Sequence, residues 1–144
     1  MSDSVIIKCT NCKTKNRVLK SKFGSTPLCS SCKNKLAIYY SPIIADDKTL
    51  QPLVETSRIA VVDFFATWCG PCKIFAPVFE EFAVKYAGSA NAVKIDVDAN
   101  KISSSKYLIQ SIPTLIVFYE GKETRRVSGA LSLQSLENLI LPFI

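Results

Sequence analysis

The chain has 144 residues, 48% of them hydrophobic, with a formal net charge of +6. That length suits one ordinary domain, or one domain with a small appendage, and the apolar share is enough for a core. There is no histidine, which excludes a Ser-His-Asp triad, a Cys-His nucleophile and any histidine metal ligand. No apolar run reaches the roughly 18–20 residues of a bilayer span. The opening MSDSVIIKCTNC lacks the long apolar stretch of a secretory signal. A soluble, cytoplasmic protein with no membrane partner is expected.

The six cysteines form three CxxC pairs, Cys9/Cys12, Cys29/Cys32 and Cys69/Cys72. In a reducing compartment such pairs point to metal binding or redox catalysis rather than to a disulfide framework. In the first segment, two CxxC knuckles stand sixteen residues apart, the spacing of a tetrahedral four-thiolate zinc site. Cys9, Cys12, Cys29 and Cys32 are the candidate ligands, for one zinc per chain. Lys8, Lys13 and Lys33 would offset the net charge of the site. Reversible disulfides and a rubredoxin-like iron are the alternatives; Lys13 and Lys33 stand where such iron sites often have glycine. A structural zinc and a redox-sensing one are both consistent with this spacing.

The segment is also basic. Residues 1–48 hold nine Lys/Arg against three Asp/Glu, and residues 49–144 hold nine of each. A solvated face explains this most simply; a polyanion or an acidic protein is the other reading. Phe23 has few aromatic companions before Tyr39, so base stacking is poorly supported and nucleic acid is not expected as a partner.

Ala37 to Pro42 reads as a strand or linker. A boundary within residues 37–46 divides the chain into a four-cysteine module, 1–40, and a second domain, 41–144. Strand and helix signals then alternate. Thr49–Thr56 reads as a short helix and Ile59–Phe65 as a buried strand with one acid in it. Cys69–Ala87 reads as a helix that Pro77 should kink. Ala92–Val97 is a strand, Lys101–Leu108 a helix, and Thr114–Tyr119 a strand turned by Gly121 into Thr124–Ser128. Ser132 opens a last helix. The fold class is α/β, a central mixed sheet flanked by helices, with a small zinc-ribbon-like module before it.

Trp68-Cys69-Gly70-Pro71-Cys72 follows the buried strand and opens a helix. Unpaired amides and the positive end of the macrodipole there favour a thiolate, so Cys69 is expected to titrate below a free cysteine. Pro71 tolerates a first-turn position, and Gly70 lets another backbone come close. Cys72 is near enough to attack a mixed disulfide at Cys69. A structural cysteine pair or half a metal site is the alternative. Asp63, inside IAVVDFF, is expected to be buried, with a raised pKa, and able to exchange a proton with Cys72.

Residues 46–144 closely resemble the thioredoxin family. The resemblance rests on VVDFFATWCGPCKIFAPVFEEFA, VKIDVDAN, IQSIPTLIVFYEGKE and VSGALS, in the family's order and spacing. It implies a thioredoxin fold and a protein-disulfide reductase. Cys69 is then the nucleophile, Cys72 the resolving thiol, Asp63 the buried acid and Lys94 a lysine near it. Pro113 matches the cis-proline, with Ile112 presenting backbone to the substrate. Trp68, Gly129 and Ala130 match the groove for target proteins. Phe65 departs from the family, where tryptophan is common. The four-cysteine module ahead of this domain resembles the bacterial thioredoxin 2 type. Implied partners are disulfide-containing targets and an NADPH-dependent thioredoxin reductase. The chain has no G-x-G-x-x-G fingerprint, so no bound nucleotide or flavin is expected.

Overall fold

The computed structural model describes residues 3–144; Met1 and Ser2, which begin the expected module, lie outside the described residues. The chain starts as an antiparallel hairpin, β1 (Ser4–Lys8) and β2 (Lys15–Leu19). Strand alternation turns Val5, Ile7 and Val18 to one side, where they pack with Leu36, Phe23 and Ile38 around Cys9 and Cys29. The cysteine segment therefore has a small apolar core that its polar composition does not suggest.

Residues 37–42 form no strand. The next strand is β3 (Ile43–Ala45), whose three residues are too few to show a periodicity. Then come α1 (Leu50–Thr56), β4 (Ile59–Phe65), α2 (Gly70–Lys85), β5 (Asn91–Asp96), α3 (Lys101–Lys106), β6 (Thr114–Tyr119), β7 (Lys122–Ser128) and α4 (Leu133–Ile140). The sheet order is β3-β5-β4-β6-β7. β3, β5 and β4 are parallel, while β6 and β7 run antiparallel to their neighbours.

Most element ends fall within a few residues of expectation, for local reasons. Cys69 caps α2 rather than joining it, because its backbone is extended. Leu108 takes φ 53 and lies beyond the end of α3. The Ser132 hydroxyl accepts the N–H of Ser135 at 3.2 Å and starts α4. Pro77 lies inside α2 on its exposed side and does not end it.

Strand β4 is buried on both faces, as a central strand with helices above and below must be. Ile59 and Val61 pack with Phe75, Phe79, Phe82, Leu136 and Ile140 of α2 and α4. Ala60, Val62 and Phe64 pack on the opposite side with Leu50 and Val54 of α1. Each buried large apolar side chain contributes roughly 1.5–3 kcal/mol. Lys85 and the Tyr86 hydroxyl both bond the Glu137 carboxylate, tying α2 to α4.

The N-terminal segment rests against the end of the sheet where β4 and β5 begin. Lys15 pairs with Glu120 at 3.2 Å. The Lys8 ammonium donates to the Glu55 carbonyl at 3.2 Å. Phe23 lies on Gly88, whose φ is +82 and where a Cβ would stand 2.7 Å from the ring. Gly88→Ala is therefore expected to lower the unfolding free energy by about 1–2 kcal/mol in urea denaturation. Adding Phe23→Ala should leave only the backbone part of that loss, a non-additivity that a double-mutant cycle measures.

Candidate redox site and cysteine cluster

Strand β4 carries the chain to the rim of the sheet, and residues 66–68 turn it into α2. Cys69 is the N-cap: its sulfur accepts the N–H of Cys72 at 3.2 Å. The two cysteines are disulfide-bonded, with Cα atoms 5.2 Å apart, so this is the oxidised form. Both are nearly covered, packed with Ala66, Phe65, Val97 and Ile112. Gly70 and Pro71 are exposed between them, and the Cβ direction of Gly70 is open.

Across from Cys69, the Ile112–Pro113 bond is cis. The Cys69 sulfur lies 3.9 Å from the Ile112 carbonyl oxygen. The N–H of Gly129 donates to the Pro113 carbonyl at 2.8 Å, tying the end of β7 to this loop. Ala130 follows on the surface. Trp68 is 68% exposed, and its indole N–H donates to Asp98 at 2.6 Å. An open groove lies between Trp68, Val97, Ile109 and Ile112. The structure thus gathers Trp68, Ile112, Pro113 and Gly129 about one redox pair, from three separate stretches of chain. Asp98 was not anticipated. It lies thirty residues from Trp68, and an exposed acid after a strand carries no sign of its partner.

Asp63 is 1% exposed. By alternation it shares the face of β4 with Ile59 and Val61, beneath α2, whose first turn holds Cys72. Neither carboxylate oxygen has a hydrogen-bond partner among the described residues. Burial raises the carboxyl to about 7, opposed by the charge of Lys94. Lys94 sits beside Asp63 in the parallel register of β5 on β4. Its ammonium lies over the Phe65 ring, 4.6 Å from the centroid, and acts on Asp63 as a nearby charge rather than as an ion-pair partner.

The four remaining cysteines converge. All four sulfurs lie within 4.8 Å of one another. Cys9 and Cys32 are 3.6 Å apart, and Cys12 and Cys29 are 3.5 Å apart. Four sulfurs held about 2.3 Å from one ion in a tetrahedron would stand about 3.8 Å apart, so the set fits a zinc ion. The knuckles have matching turns. The N–H of Lys13 donates to the Cys9 carbonyl and that of Lys33 to the Cys29 carbonyl, at 2.9 and 3.0 Å. Lys13 and Lys33 take φ 65 and 66, so lysines hold the left-handed position that glycine would fill without strain. Asn16 links the knuckles. Its carbonyl accepts the N–H of Ser30 at 2.9 Å, and its amide reaches the Cys29 sulfur at 3.5 Å. The N–H of Cys32, chiefly, pulls the Cys29 thiol down to about 6, towards the thiolate a metal needs. The role of Asn16 is visible in KNRVL only once that segment is taken as a strand, with Asn16 and Val18 on one face.

Residues 41–141 match the protein-family model described as thioredoxin. The chain belongs to the thioredoxin family. Thioredoxins of Staphylococcus aureus strains Mu50 and MW2 are each 52% identical to it over 83 residues, 58% of this chain and 77% of theirs. A mutant thioredoxin from Halobacterium salinarum NRC-1 has a similar structure, with a TM-score of 0.69 and 31% identity, covering 74% of this chain and 94% of that one. The sheet and its helices are the thioredoxin fold, and the chain is a thiol–disulfide oxidoreductase. The family match begins after the fourth cysteine of the N-terminal cluster. Among the described residues, no helix is long and apolar enough to cross a membrane.

The buried carboxyl of this thioredoxin has a stability signature. Its pKa is about 7 folded against an ordinary 3.8. Between those values the folded chain holds a proton that the unfolded chain has lost, so stability falls as pH rises from about 4 to about 7. Above that the loss is complete. Asp63→Asn removes this dependence. The mutant should gain on the native protein across the window, by on the order of 4 kcal/mol, and the gain should then level off. Chemical denaturation of both oxidised proteins at stepped pH measures it.

Proposed function

We propose that the chain is a cytoplasmic protein-disulfide reductase of the bacterial thioredoxin 2 type, with residues 41–144 as the catalytic domain and residues 1–40 as a zinc module. The observation that carries the redox reading is Cys69 at the start of α2, facing the cis-proline loop, with an orphaned carboxyl beneath the same helix.

In the reduced chain, the amides of the first turn hold Cys69 as a thiolate. It attacks one sulfur of a target disulfide. A Cys69–target bond forms, and the target's other sulfur leaves as a thiolate and is protonated. Cys72 gives its proton to the Asp63 carboxylate and attacks the Cys69 sulfur. The mixed disulfide breaks, the second target sulfur leaves, and the Cys69–Cys72 bond closes. Two electrons have passed to the target. Lys94 keeps the Asp63 pKa lower than burial alone would set it, near the pH at which the proton must move. Trp68, Gly70, Pro71, Ile112, Pro113, Gly129 and Ala130 seat the target. An NADPH-dependent thioredoxin reductase restores the dithiol.

Cys69→Ser should reduce insulin turnover by about three orders of magnitude, since it removes the attacking thiol. Cys72→Ser should instead accumulate mixed disulfides that gel electrophoresis detects and dithiothreitol releases. In the reduced native protein, iodoacetamide at neutral pH should label Cys69 before Cys72; the reverse order would refute the assignment of roles.

Cys9, Cys12, Cys29 and Cys32 would hold zinc, which would supply folding energy to a segment with a small core. Elemental analysis of the reduced protein should find one zinc per chain, lost in Cys12→Ser. Chelation should loosen residues 3–40, while insulin reduction persists because this segment sits at the far end of the sheet. A metal-free reduced protein would leave reversible disulfides, Cys9 with Cys32 and Cys12 with Cys29, as the better reading.

A further inference from the structure

Strand β2 pairs with β1 on one edge, and among the described residues nothing pairs with its other edge. A groove is lined by residues 15–19 of β2 on one side and by Pro27, Leu28 and Ser30 of the following segment, which the Ser30 N–H ties to Asn16 at 2.9 Å. Lys15, Arg17 and Lys22 line it. Leu19 and Leu28 line it too, 50% and 55% exposed, which is unusual for leucines on so polar a segment. Residues 3–40 carry eight Lys/Arg against one acid, Asp3, while the thioredoxin domain from residue 49 onward is neutral. Most of this charge is uncompensated. Lys15 has Glu120, but Arg17 reaches only the Ser4 hydroxyl, and Lys20 and Lys22 have no ion pair among the described residues.

The charges are spaced like an extended chain. Lys15, Arg17 and Leu19 alternate outward along β2, one every two residues, or about 6.6–6.8 Å. A strand lying beside β2 repeats at the same interval, so its alternate side chains fall opposite these three. Its backbone would use the open edge, as strand addition requires. We propose that this groove docks an extended acidic segment of a partner protein, added to β2 as a third strand. Its acidic side chains would face Lys15 and Arg17, and an apolar residue would meet Leu19 and Leu28. The groove's apolar lining is aliphatic, Val18, Leu19, Pro27 and Leu28, and none of its lining residues is aromatic, while Phe23 is half-buried beside Gly88. A nucleic-acid base has no ring to stack on there, so a peptide fits better. A docked partner would present its disulfides to the redox pair at raised effective concentration. That consequence rests on the reductase reading; the docking does not.

The test uses the full reduced, zinc-loaded chain and a short fluorescein-labelled peptide alternating glutamate with valine and ending in leucine, read by anisotropy. A control peptide has glutamine for each glutamate. The acidic peptide should bind, and roughly tenfold more weakly to the Arg17→Glu/Lys22→Glu chain. Raised salt should weaken binding in the same direction, and the control peptide should bind poorly. The variant should reduce a small aromatic disulfide at the native rate, which shows that it is folded and that the redox pair is untouched. In hydrogen exchange, the peptide should protect amides of β2. Equal binding of the two peptides, no effect of the charge reversal, no binding at millimolar peptide, or tighter binding of a single-stranded RNA of equal charge would each overturn the proposal. Loss of small-disulfide reduction by the native chain would instead count against the reductase reading and leave the docking standing.

Discussion

Strand β4 has no face turned to water. Ile59 and Val61 lie under α2 and α4, and Ala60, Val62 and Phe64 lie under α1. A strand so placed can be satisfied only by partners on both edges, and β5 and β6 supply them. Its carboxyl end is held at one rim of the sheet, where the chain must turn straight into α2. That turn holds Cys69. The fixed strand, and not any property of the loop, sets the sulfur at a helix N-terminus and within 3.9 Å of the Ile112 carbonyl on the neighbouring loop. In parallel α/β sheets, the rim at the carboxyl ends of the strands is the usual place for chemistry.

The same burial explains a feature that costs the fold stability. Asp63 sits in the row of apolar side chains beneath α2 with neither oxygen hydrogen-bonded. A valine there would pack without an ionisation penalty. The carboxyl is instead pushed up to about 7, so it can both hold and release a proton near neutrality, beneath the helix that carries Cys72. Lys94, aligned beside it, tempers the shift while resting its ammonium on Phe65. The aromatic at position 65 therefore has an electrostatic task besides its packing against the disulfide.

Chemistry and the cysteine cluster occupy opposite ends of the sheet. The N-terminal segment touches the chain at Glu55, Gly88 and Glu120, where β4 and β5 begin and β6 ends. The seven residues of β4 put about 20 Å between those contacts and the redox rim. At that distance a change at one end reaches the other only through packed elements. The N-terminal segment is thus placed to hold something beside the redox domain without entering its groove.

The sequence by itself determined the redox pair, the four metal-ligand candidates and the order of the main elements. In each case the signal is local: two residues between cysteines, an apolar run of strand length, a serine before an amphipathic stretch. The resemblance of IQSIPTLIVFYEGKE to thioredoxins added the cis-proline at Pro113, which no local rule predicts. The hairpin of β1 and β2 and the short edge strand β3 could not be read. The strands of the first have five residues each, the second of them, KNRVL, mostly polar, and β3 has three, so pairing and not periodicity defines them. Only the tertiary structure brought Asp98 to Trp68, Asn16 between the two knuckles and Phe23 onto Gly88. It alone turned Lys94 towards a ring instead of a carboxylate. These contacts join residues far apart in the chain, and their geometry is set by how β4 and its neighbours pack, which no run of neighbouring residues encodes.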